Sequence, residues 1–222
     1  MSLCCRKNNA AVQAVIDKIE AEKIVTIVRG VAKEDLLPLV EAMYEGGIRL
    51  VEVTYGKMSD EETAECIKML ADKFAGKMCV GAGTVLTKKQ VELTKKAGGT
   101  FIISPDANKS IIRKTKRMNM VSIPGVLTPS EITMAVRNGA DFCKLFPITS
   151  MGPDYVKAVK APLSKVKMLA VGGVDETNMA DYLKVGISGF GIGSNIVNMK
   201  LIKEKNFAAI TELCKKYVEV VK

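Results

Sequence analysis

The sequence predicts an α/β protein, a (β/α)8 barrel with an extra helix at its N-terminus. Short apolar stretches alternate with amphipathic, helix-period stretches eight times over. No long linker interrupts the alternation, and nearly every apolar stretch runs into Gly, Pro, Ser or Thr. A barrel of this kind commonly has about 250 residues, so 222 implies short loops and one domain spanning 1–222.

In order, Val12, Val15, Ile16 and Ile19 fall at helical spacing, so an amphipathic helix over 10–22 opens the chain and is placed to cap the N-terminal face of the barrel. Strand one covers 24–28 and ends at Arg29-Gly30. A helix over 33–46 ends at Gly46-Gly47, and Pro38 implies that it starts later than Lys33 or bends. Strand two covers 49–54. Ser59 with Asp60, Glu61 and Glu62 then forms an N-cap and acidic first turn for a helix to about Phe74. The remaining strands are expected at 78–82, 101–103, 120–123, around Lys144, 167–171 and 188–191. Their helices are expected at 88–97, 108–118, 130–138, through Tyr155 to Lys160, 176–185 and 203–221. Pro129, just after Thr128, suits the first helical position of the 130–138 helix.

Composition removes several chemistries. The chain has no histidine, so no His-based zinc site, Ser-His-Asp triad or Cys-His dyad can be built from it. Six cysteines show no C-x-x-C spacing, and no run approaches the ~18 apolar residues of a membrane span. Met1 to Asn9 has no apolar core after Arg6 and Lys7, and Cys4-Cys5 is given no function. A reduced, cytoplasmic protein without a membrane or nucleic-acid partner is expected. The net charge of +9 is scattered over helical segments; its densest run, Lys109 to Arg117, reads as the wet face of a helix.

Two charges stand out in otherwise apolar strands. In D-F-C-K-L-F-P (141–147), Phe142, Lys144 and Phe146 share one strand face, with Cys143 and Leu145 on the other. Burial lowers a lysine pKa, and a neutral amine is the nucleophile that forms a Schiff base with a carbonyl. The plainer alternative is a strand-end lysine reaching solvent or a carboxylate. In L-V-E-V-T (50–54), Glu52 is likewise a lone carboxylate, sharing a face with Leu50 and Thr54. On inward faces of a narrow barrel the two would meet or share a water, as a catalytic pair or as a buried ion pair supporting the fold.

Active sites of such barrels lie at the C-terminal ends of the strands. Those ends supply Arg29, Glu52 with Thr54, Thr84, Ser104-Pro105, Lys144, Gly172-Gly173 and Gly193-Ser194. The glycines after strands seven and eight occupy the usual phosphate position of a barrel. The competing G-A-G-T at 81–84 lacks the third glycine of a dinucleotide loop, since Leu86 stands there.

The ordered motifs G-G-I-R-L-V-E-V-T (46–54), V-G-A-G-T-V-L (80–86), I-S-P (103–105), P-G-V-L-T-P-S-E (124–131), K-L-F-P (144–147), G-G-V (172–174) and G-I-G-S (191–194) carry a family resemblance. The chain resembles the 2-keto-3-deoxy-6-phosphogluconate (KDPG) and 4-hydroxy-2-oxoglutarate (KHG) aldolases, class I aldolases with a TIM-barrel fold. The resemblance implies Lys144 as the Schiff-base lysine and Glu52 as general acid/base. Arg29 and Thr84 would hold the keto acid, and Gly172, Gly173 and Ser194 the phosphate. Thr54 and Pro105 complete the substrate-binding set. It further implies 2-keto acid and aldehyde substrates, a homotrimer, and neither metal nor cofactor. Two positions depart from the pattern: Val171 stands where many members have Thr, and Gly56 where they have an Arg. The first leaves the C4 preference open, with the 6-phosphogalactonate epimer as a candidate. The second leaves the substrate carboxylate to Arg29 or Lys57. A sugar-phosphate isomerase or epimerase, with Glu52 as base and no covalent adduct, and a non-catalytic phosphate-binding barrel are the alternatives.

Overall fold

The computed structural model describes residues 9–222, so the expectations for Cys4, Cys5, Arg6 and Lys7 lie outside the described residues. Helix α1 (Ala10–Glu22) leads into β1 (Ile24–Val28), α2 (Lys33–Glu45), β2 (Leu50–Thr54), α3 (Asp60–Lys73), β3 (Cys79–Gly83) and α4 (Lys88–Lys96). The alternation continues through β4 (Phe101–Ile103), α5 (Lys109–Arg117), β5 (Val121–Ile123), β6 (Gly125–Val126), α6 (Pro129–Arg137), β7 (Cys143–Leu145) and α7 (Gly152–Lys160). It closes with β8 (Met168–Val171), α8 (Met179–Lys184), β9 (Gly189–Ile192), α9 (Met199–Lys203) and α10 (Phe207–Val221).

The strands pair in parallel in the order β5-β4-β3-β2-β1-β9-β8-β7-β6. Only Pro124 separates β5 from β6, so the two ends of the sheet are halves of one strand and the ring is a barrel. The fifth predicted strand therefore does not stop at Pro124-Gly125. Pro124 has no N–H to give to a ladder, but its carbonyl accepts from Lys144 N at 2.9 Å, and pairing resumes with Gly125 opposite Lys144. Gly125 has to be glycine there, because a Cβ would lie 2.2 Å from the Pro105 carbonyl oxygen.

Two shells of apolar packing follow from the period of two. Val25, Leu50, Phe101, Val121, Phe142 and Leu169 point into the barrel, where Val12, Val15, Ile16 and Ile19 of α1 pack against them. The extra helix thus caps the barrel as expected. Cys143 and Leu145 belong to the outer shell, between the sheet and the surrounding helices. Burial pushes the Cys143 thiol up to about 12, consistent with its expected role as a small core residue.

Helix boundaries differ from expectation where one residue overrides the pattern. Helix α2 does begin at Lys33 and holds Pro38 within it, with Glu34 and Asp35 in its first turn. The expected 203–221 helix is instead split, because Lys205 adopts φ 53° and the Asn206 side chain caps Ala209 N at 3.2 Å. Capping boxes start α3 (Ser59 with Glu62), α4 (Thr87 with Gln90) and α6 (Thr128 with Glu131). The basic run forms α5, which buries Ile111, Ile112 and Thr115, while Lys114 pairs with Glu92 and Lys116 with Asp141.

Candidate active site

A cavity of about 580 Å³ opens at the C-terminal ends of the strands. Its wall contains Arg29, Glu52, Thr84, Pro105, Lys144, Gly172, Gly173 and Ser194. Residues from seven loops and strands far apart in sequence are therefore brought to one place by barrel closure. Thr54 is the exception among the expected residues. It is buried at the end of β2 opposite Gly83, outside the cavity wall, and its Oγ1 has no hydrogen-bond partner.

Lys144 lies at the centre of β7, with Gly125 on one side and Leu169 on the other. It is 8 % exposed, and its Nζ sits 4.3 Å from the centroid of the Phe146 ring. Burial holds its pKa below the usual lysine range; the Glu52 charge acts against this, and Arg29 adds to it. Glu52 is 2 % exposed, and its Oε2 is buried without a hydrogen bond. Gly83 makes room for that carboxylate, since a Cβ there would lie 1.3 Å from Oε2. Burial raises the Glu52 pKa to about 7 against the opposing pull of Lys144 and Arg29. Lys144 and Glu52 influence each other but form no ion pair. A structural salt bridge between them, one of the two arrangements open from sequence, is thus absent.

Arg29 Nη2 donates to Thr84 Oγ1 at 2.9 Å, across the mouth of the barrel. Thr84 has φ 53°, in the left-handed region that side chains with a branched Cβ avoid. Of the two cations that could replace the arginine absent at Gly56, Arg29 lines the cavity; Lys57 does not. The G-A-G-T segment also has its explanation here. Gly81 accommodates the Phe101 ring, and Gly83 the Glu52 carboxylate.

The loops after β8 and β9 form the opposite wall. Gly172 and Gly173 have φ 90° and 72°. At Gly173 a side chain is excluded twice over, because a Cβ would also lie 2.8 Å from Thr149. Among the described residues, the N–H groups of Gly173, Val174, Ser194 and Asn195 make no hydrogen bond to protein. All four residues belong to the cavity wall, so their donors are available to an anion.

Phe146, Asn195 and Met199 also line the cavity and were not among the expected site residues. Phe146 was within reach of sequence reasoning, because it shares a strand face with Lys144. Asn195 directly follows the G-I-G-S motif, but loop residues have no periodicity to signal their direction. Met199 carries no sequence signal of this kind. Among the described residues, no group of three or more Cys, Asp or Glu could hold a metal ion. Among the same described residues, no helix is long and apolar enough to cross a membrane.

A family model described as KDPG and KHG aldolase matches residues 15–213. The chain is 37% identical over 175 residues to a probable 2-dehydro-3-deoxy-6-phosphogalactonate aldolase of Rhizobium meliloti, covering 78% of this chain and 81% of that protein. It is 31% identical over 212 residues to a 2-dehydro-3-deoxy-phosphogluconate aldolase of Haemophilus influenzae, covering 95% and 98%. Among solved structures, KDPG aldolase from Legionella pneumophila superposes with a TM-score of 0.81 at 31% identity, over 89% of this chain and 94% of that one. That structure holds pyruvate as a covalent carbinolamine intermediate. With a barrel, a cavity at the strand ends and a family match over nearly its whole length, this chain belongs to the KDPG and KHG aldolase family and is an aldolase, a carbon–carbon lyase.

Proposed function

We propose that the chain is a class I aldolase that cleaves 2-keto-3-deoxy-6-phosphogluconate to pyruvate and glyceraldehyde 3-phosphate, or 4-hydroxy-2-oxoglutarate to pyruvate and glyoxylate. One observation carries the proposal: a buried lysine and a buried glutamate share a cavity without neutralising one another, and burial moves both pKa values toward neutrality. Neutral Lys144 Nζ attacks the C2 ketone, and loss of water from the carbinolamine leaves a protonated imine. Glu52, directly or through a water, takes the C4 hydroxyl proton. The C3–C4 electron pair then flows into the imine as the aldehyde departs. Protonation of the remaining enamine at C3 and hydrolysis release pyruvate and the free lysine. Because the imine itself is the electron sink, these steps need no cofactor.

In this reading Arg29, oriented by Thr84, holds the substrate carboxylate in place of the arginine absent at Gly56. Pro105 closes the wall around the reacting centre. Gly172, Gly173 and Ser194 bind the phosphate through backbone N–H groups and the Ser194 hydroxyl. The reading includes a cytoplasmic homotrimer, which sedimentation of the purified chain tests.

Val171 favours a second reading of the substrate. It lines the cavity with an apolar side chain that gives a C4 hydroxyl no hydrogen bond, and the Rhizobium relative is named for the 6-phosphogalactonate epimer. The deciding assay offers the purified chain both C4 epimers and 4-hydroxy-2-oxoglutarate and measures pyruvate release. Release from the gluconate epimer or 4-hydroxy-2-oxoglutarate supports the first reading. A kcat/KM about tenfold higher on the galactonate epimer, about 1.4 kcal/mol of discrimination, supports the second. Isomerised substrate without pyruvate would overturn both.

A further inference from the structure

Two carbonyls of the loop after β8 are held by asparagine side chains. Asn178 Nδ2 donates to the Gly173 carbonyl at 3.0 Å, while Asn178 Oδ1 accepts from Asp175 N at 3.1 Å. Asn195, from the loop after β9, donates its Nδ2 to the Val174 carbonyl at 3.2 Å. The peptide joining Val174 to Asp175 is thus fixed at both polar ends, by one asparagine from each loop. The preceding peptide is fixed at its carbonyl alone. In a trans peptide the C=O and N–H point in opposite directions, so turning the Gly173 carbonyl toward Asn178 sends the Val174 N–H the other way. That N–H is among those with no protein partner.

Asn195 makes the one direct hydrogen bond between these two loops among the described residues, and the Tyr217 side chain of α10 joins them a second time by meeting both Glu176 and Asn195. Asn195 is an exposed residue. Its side-chain partners are the Val174 carbonyl and Tyr217, both of which tie it to the loop after β8, so its consequence lies in the relative placement of the loops it joins. We infer that Asn195 is a positioning residue for the substrate's distal phosphate: it holds the loop after β8 in register with the loop after β9, so that N–H donors from both meet one anion. Donors fixed in advance bind an anion without an ordering cost at the moment of binding. The inference rests on the phosphate placement proposed above.

Asn195→Ala removes the link while leaving every N–H donor in the chain. Loss of one ordering hydrogen bond corresponds to a rise of about tenfold in KM for the phosphorylated substrate, with kcat changed by less than about twofold. The inhibition constant of inorganic phosphate should rise in parallel. Borohydride trapping of pyruvate, which has no phosphate, reports whether the Lys144 end of the cavity is intact and should proceed at the wild-type rate. An unchanged KM would overturn the inference, as would an equal loss on the dephosphorylated substrate, which signals general distortion. If the wild type itself handles phosphorylated and dephosphorylated substrates alike, the phosphate placement falls and the inference with it; that result is read on the wild type alone, before any variant is made.

Discussion

Glu52 is held where its charge is costly. Its pKa is raised from 4.5 to about 7, chiefly by burial. The folded chain therefore keeps a proton on Glu52 that the unfolded chain has already released. The associated stability is fully present below pH 4.5 and is lost as the pH rises through about 7. The full effect is about 3 kcal/mol, from 1.36 kcal/mol for each tenfold change in proton affinity. Glu52→Gln stays neutral throughout, so its stability relative to wild type should climb between pH 5 and pH 8 in urea unfolding, while kcat falls about 10²- to 10⁴-fold. A stability difference independent of pH would mean that Glu52 is not desolvated as described. Glu52 and Lys144 were legible in the sequence because a lone charge breaks the pattern of a buried strand. Thr54 shows the limit of that logic: a period of two assigns a face, but not the depth at which the cavity begins. Asn195 lay beyond it, because its role depends on a carbonyl about twenty residues away in another loop.

Secondary structure was legible wherever periodicity and caps agree. The strands of the barrel and the helices α3, α4 and α6 fall within a residue or so of expectation, each of these helices begun by a capping box. Single residues account for the misses: Pro38 is tolerated inside α2, Pro124 interrupts a strand without ending it, and Asn206 starts a new helix inside the expected 203–221 helix. Helix α1 is the element whose role reaches furthest. Ile19 is fully buried against the barrel interior, so Ile19→Ala leaves a void beneath the strands that position Glu52 and Lys144. A cost of about 3 kcal/mol is expected, measured by denaturant unfolding. A cost below about 1 kcal/mol would show that α1 rests on the barrel without closing it.

At the scale of the whole molecule, parallel closure is what turns scattered residues into a site. Arg29 and Ser194 are separated by most of the chain, yet β1 and β9 are neighbours, with Ile24 opposite Phe190. Order along the chain foretold this, because alternation of strand and helix leaves few ways to bury both faces of eight parallel strands. Side-chain geometry was not foretold: no pattern in the sequence distinguishes a Lys144 ion-paired with Glu52 from one that stands apart from it. Nucleophilic attack by Lys144 depends on that separation, which leaves the amine free to lose its proton. Its most direct test is reduction with borohydride in the presence of pyruvate, followed by peptide mass mapping of the wild type and Lys144→Ala. A reduced pyruvyl adduct on Lys144, absent from a folded Lys144→Ala, is the expected result. No adduct on the folded wild type, or an adduct on another lysine, would contradict the assignment of Lys144 as the nucleophile.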